Sequence, residues 1–155
     1  MNPVWNATIS DTPLLQPVDA VEHGAGFITV LGVRYENASA AYDWGWYTLD
    51  AEGNSISETQ WGSDAWDIPA RLLQRNDSLW SVGTTYATGG GDVHVTLHTW
   101  SEDAWVFDSA WSWDSGAADE VTDAAFIGGG IAVSTSVNDQ ALCTIFDALD
   151  GNVHW

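Results

Sequence analysis

The nine residues DVHVTLHTW, Asp92–Trp100, decide the fold class. Val93, Val95 and Leu97 recur at every second position, with Asp92, His94, Thr96 and His98 between them. A period of two belongs to a pleated strand, whose side chains alternate between faces; a helix would repeat near 3.6. Similar short runs, rich in β-branched and aromatic residues, fall at Phe27–Val33 and Ile131–Val133. No window of a dozen residues reads as a capped amphipathic helix. The chain is predicted to be all-β.

Working outward, Val95-Thr96-Leu97 has counterparts in Tyr47-Thr48-Leu49 and Cys143-Thr144-Ile145. Each leads through a polar turn to a tryptophan, Trp111, Trp61 and Trp155 respectively, spaced by 50 and 44 residues. Upstream, each unit holds two further runs: Val18–Val21 and Phe27–Val33, Ala70–Leu73 and Leu79–Val82, Val121–Phe126 and Ile131–Val133. The turns between them are rich in turn formers. Four strands over such a period predict a propeller blade. The units fall at 12–61, 62–111 and 112–155, and Trp5 marks 1–11 as the outer strand of a preceding blade. Trp5, Trp61, Trp111 and Trp155 are the expected repeat anchors.

The stretches GGGIAVSTS…CTIFDALDGNVHW and GFITVLGV…YTLDAEGNSISETQW carry an Asp-x-x-(x)-Gly turn followed by tryptophan. This pattern resembles the bacterial β-propeller repeats grouped with the SBBP, Delta-60 and PQQ-type blades. The resemblance covers nearly the whole chain and implies three four-stranded antiparallel blades. The middle unit departs from it, with Ser101-Glu102-Asp103-Ala104 in place of the Asp-x-x-Gly turn. Three blades do not close a ring. The array is therefore expected to be part of a larger ring, or to be completed by a homo-oligomer. A β-trefoil, also built of three four-strand repeats, is the alternative. The order of apolar hairpins ending in Asp-x-x-Gly and tryptophan favours the propeller.

Charge narrows the partners. Three arginines (Arg34, Arg71, Arg75) and no lysine stand against 22 acids, a net charge of -19. Such a chain repels phosphate backbones, so nucleic acid and anionic membranes are not expected partners. No apolar run has the length to span a bilayer. The first ten residues lack the charged and apolar regions of a signal peptide, yet the acidity suits an extracellular or cell-surface setting. Cys143, the single cysteine, is expected to be buried among apolar neighbours.

The candidate sites follow from residue type. Eleven tryptophans invite a sugar-stacking reading, with Trp44, Trp46 and Trp113 as the platform residues. Aromatic clusters more often supply buried area, so packing between blades is preferred for them. His94 and His98 share a strand face about 13 Å apart, too far for one zinc ion. Asp50–Asn54 and Asp147–Asn152 are acidic enough for weak calcium binding. Their recurrence favours hairpin turns, with Gly and Asn at positive φ. The glycine triplets at 89–91 and 128–130 precede no helix and read as loops. No nucleophile motif or cofactor signature is present. The expected function is a non-catalytic scaffold that self-associates and binds a protein or glycan through rim loops 33–42, 84–92 and 134–141. The alternatives are a lectin, or a fragment of a propeller glycosidase or lyase.

Overall fold

The computed structural model describes residues 15–24, 26–35 and 41–154; Trp5 and Trp155 lie outside them. Among the described residues eleven antiparallel strands form three sheets in chain order. The first sheet holds β1 (Leu15–His23), β2 (Phe27–Tyr35), β3 (Tyr42–Leu49) and β4 (Ser55–Trp61). The second holds β5 (Asp67–Arg75), β6 (Ser78–Thr85), β7 (Asp92–Ser101) and β8 (Ala104–Trp113). The third holds β9 (Glu120–Ile127), β10 (Gly130–Val137) and β11 (Gln140–Asp147). Each sheet is a meander, and no helix occurs among the described residues. The third sheet departs from the expected four strands. Beyond β11 the described residues form the isolated bridge between Phe146 and Val153.

Local chemistry sets the turns. Glu102 and Asp103 take φ of 52° and 63°, and Asn138 and Asp139 take 48° and 62°. Two successive left-handed residues give the twist that a tight antiparallel hairpin needs. Thus Ser101–Ala104 closes its hairpin without the glycine of the other units. In the acidic turns only the glycines are left-handed, Gly53 at 87° and Gly151 at 71°. The asparagines act through their side chains instead: Asn54 Nδ2 donates to Asp50 Oδ2 at 2.9 Å, and Asn152 Nδ2 to Asp150 Oδ2 at 2.6 Å.

A shared irregularity aligns the three sheets. β1 slips register after Pro17, opposite Gly32, and β5 slips after Pro69, opposite Gly83. The same slip occurs in the third sheet where Thr135 faces Val121. Counting from it, Trp44, Val93 and Ala141 are equivalent, as are Trp46, Val95 and Cys143. Trp61 pairs with Trp44 and Trp113 pairs with Val93, so the counterpart of Trp61 is Trp113 and not the expected Trp111.

The sheets stack face to face. Leu31, Trp44 and Trp46 of the first sheet pack against Leu72, Leu79 and Trp105 of the second. Val82, Val93 and Val95 on the opposite face of the second sheet pack against Ile131, Val133 and Phe146 of the third. Each such side chain taken out of water contributes about 1.5–3 kcal/mol. Being enclosed on both sides, β7 is buried from Asp92 to His98 rather than half-buried. Its valines face the third sheet and its histidines the first. The first strands lie side by side, with the Arg71 guanidinium Nε 3.6 Å from Asp19 Oδ2 and 3.1 Å from Asp123 Oδ1. Asp19 Oδ2 also accepts the backbone N–H of Leu72 at 2.9 Å.

Cys143 overturns its expectation of burial and is exposed. Its neighbours Leu142 and Ile145 are apolar, but β11 borders the last sheet of the stack. No described sheet covers the face to which Cys143 points.

Candidate functional site

The proposed sugar platform is divided between two interfaces. Trp44 and Trp46 are 0% and 1% exposed between the first and second sheets, and offer no face to a pyranose in this arrangement. Trp113 is half-buried in the other interface, its ring 5.4 Å from that of Phe146. The two anchors among the described residues, Trp61 and Trp111, also pack inside the stack. Trp61 stacks on His94 at 4.0 Å and 14°, while Trp111 lies across Gly151, where a Cβ would stand 2.5 Å from its ring.

His94 and His98 are inter-sheet residues. His94 Nδ1 lies 2.7 Å from Ser112 Oγ, and the His98 ring lies 4.9 Å from Trp46. Desolvation pushes both imidazoles down to about 4, so they are neutral at pH 7. In the acidic turns the carboxylates serve the backbone. Asp50 Oδ1 accepts N–H bonds from Glu52 and Asn54, and the bonds from Asn54 hold Asp50 below the usual carboxylate range. Asp147 is lowered chiefly by the N–H of Leu149.

Two buried carboxylates that the sequence reading passed over build the rim. Ser63 donates to Asp67 Oδ2 through its N–H at 2.5 Å and its hydroxyl at 2.9 Å. In the next sheet the Ser115 N–H and hydroxyl each donate to Asp119 at 2.8 Å. Both aspartates are 0% exposed. Each stands six residues after the outer-strand tryptophan, Trp61 or Trp113, and opens the next sheet. The repeated Trp-x-Ser-x-x-x-Asp spacing was the available signal. Replacing Asp119 by alanine removes the two hydrogen bonds that Ser115 makes to a charged acceptor, at a cost of about 1.5–3 kcal/mol. A urea titration should register that loss, and Asp119→Asn, which keeps an acceptor, should lose less.

These links end at the rim where β2 meets β3, β6 meets β7 and one sheet passes to the next. An aromatic string lies there. The Tyr35 and Tyr42 rings are 5.5 Å apart, and Trp66 meets Tyr42 edge-on at 5.4 Å and 77°. Trp66 is 52% exposed, and its carbonyl accepts the N–H of Tyr86 at 2.9 Å. Tyr86 in turn donates its hydroxyl to Glu120 at 3.2 Å. Burial, then the charge of Glu120, pushes the Tyr86 phenol up. Behind Tyr86, Gly91 at φ 86° packs against the ring, and Thr88 donates to Asp92. The loop residues 36–40, inside the expected rim segment 33–42, are outside the described residues.

An exposed indole flanked by tyrosines can stack on a flat apolar face, while the phenols offer polar contacts at its margin. Trp66 escaped the sequence reading because it sits in the turn between β4 and β5, outside any alternating run. No protein-family model matches the chain, and no curated protein matches it.

Proposed function

We propose that this chain is a non-catalytic scaffold of the β-propeller type that associates with further copies and holds a glycan or protein ligand at its rim, in an extracellular or cell-surface setting. Three meanders, each packed face to face with the next and with first strands side by side, support this architecture over a trefoil. The observation that carries the ligand reading is Trp66. It is a large, half-exposed ring braced by Tyr42 at the end of the stack where the loops converge. Rigid sheets behind such loops pre-organise a binding surface at little entropic cost.

Glycan-array screening, followed by tryptophan-fluorescence titration of the hits, tests this reading. Trp66→Ala is expected to weaken binding at least tenfold while leaving the melting temperature within a degree or two, since the residue is half in solvent. Binding unchanged by Trp66→Ala would remove the rim from the reading.

A further inference from the structure

The register provides a ruler for comparing the forward faces of the three sheets, meaning the faces turned toward the next sheet in the stack. At equivalent positions the first sheet has Leu31, Trp44 and Trp46, and the second has Val82, Val93 and Val95. All six are buried by the sheet that follows. The third sheet has Ser134, Ala141 and Cys143 there, and these side chains are half-buried or exposed. Ser134 and Cys143 border a shallow hollow of about 170 Å³, lined also by Asp123 and Ala132. A second hollow of about 410 Å³ opens beside it over Ile127 and Ile145. On the adjoining edge the described residues make the Phe146–Val153 bridge and a bond from His154 N–H to Ile145 O at 2.7 Å, where β3 and β7 pair with β4 and β8 at the equivalent places.

We propose that this forward face seats the first sheet of a second copy of the chain, head to tail, as the second sheet seats the third. The inference rests on the self-association reading above and names its interface. Three observations commit it to a copy of this chain. The face continues an interface that already occurs twice, so the matching surface is the rear of a sheet of the same kind. Side-chain bulk is also displaced in a complementary way. In the first interface large forward residues meet small rear ones, as where Trp46 Nε1 donates to Ser81 Oγ at 2.6 Å. The third sheet reverses this with Ala141 and Cys143. On the rear of the first sheet Val30, Tyr47 and Leu49 stand where the second sheet has Ser81, Thr96 and His98. Finally, Asp123 occupies the place of Asp19, whose Oδ2 accepts a backbone N–H from the next sheet.

Tyr47 and Leu49 are buried within one chain, so seating them against a second copy first requires their exposure, which weakens the association. Association between copies is concentration-dependent. Two chains of net charge -19 also repel at low ionic strength, so added salt strengthens it.

Light scattering over a range of concentrations, at about 0.05 M and about 0.5 M salt, tests the proposal. The wild-type mass is expected to rise above 16.7 kDa with concentration, and more steeply in the higher salt. Ser134→Arg is expected to hold the chain at the monomer mass with an unchanged melting curve. Should that variant fail to fold, alkylation of Cys143 with a bulky maleimide on the folded wild type must give the same block. A wild type monomeric under all conditions overturns self-association and this interface together. Assembly that persists after Cys143 is blocked overturns this interface alone.

Discussion

Replacing Trp44 by alanine is expected to destabilise the protein by about 3–5 kcal/mol. Trp44 is fully buried at the centre of the first inter-sheet core. Its ring lies 6.1 Å from Trp46, 5.1 Å from Trp61 and 5.6 Å from His94. It reaches the backbone of the second sheet over Gly83, where even a Cβ would stand 2.6 Å from its ring. A groove floored by backbone cannot collapse to fill the space that the indole leaves, so cavity cost adds to lost burial. Against a total stability of about 5–15 kcal/mol, the loss is a large fraction. For a chain of this size it lowers the melting temperature by roughly 10 °C. Differential scanning calorimetry of Trp44→Ala beside Trp66→Ala separates the two roles. If both variants melted together with the wild type, the inter-sheet core would not be holding the sheets as described.

The alternation in Asp92–Trp100 was enough to find β7 and the meander, because a strand's period is written in adjacent residues. Which sheet lies on each side of a strand is not. His94 and His98 look like a polar outer face until the first sheet is placed against them. Cys143 looks like a core residue until its sheet is seen with no described sheet against that face. The pairing of Trp61 with Trp111 failed for a related reason. β4 and β8 slip register at equivalent places, but the β7–β8 hairpin is longer: His98 pairs with Phe107, nine residues on, where the equivalent Leu49 pairs with Ser55, six residues on. The aspartates that place the rim could have been found by counting from Trp61 and Trp113. Trp66 could not, because a loop tryptophan declares its exposure only once its surroundings are known.

The second large effect is a loss of stability on mild acidification. His94 and His98 have folded pKa values near 4, below the ordinary value of 6.5, because burial penalises their charged forms. Between those limits the unfolded chain binds protons that the folded chain does not, so stability falls as pH drops from about 6.5 to about 4 and levels off below. From pH 7 to pH 5 each histidine removes about 2 kcal/mol, and the pair about 4 kcal/mol. His23, lowered by desolvation among Phe27, Trp100 and Trp105, acts in the same direction. General protonation of the 22 acids works the other way by relieving self-repulsion, but it sets in mainly below pH 5, near carboxylate pKa values. The histidine window is therefore separable. Urea unfolding at pH 7, 6 and 5 should show the steepest loss between 6 and 5, and His94→Gln with His98→Gln should flatten it. A wild-type curve level from pH 7 to 5 would mean that these rings are hydrated in the folded chain, and that the first two sheets do not close over them.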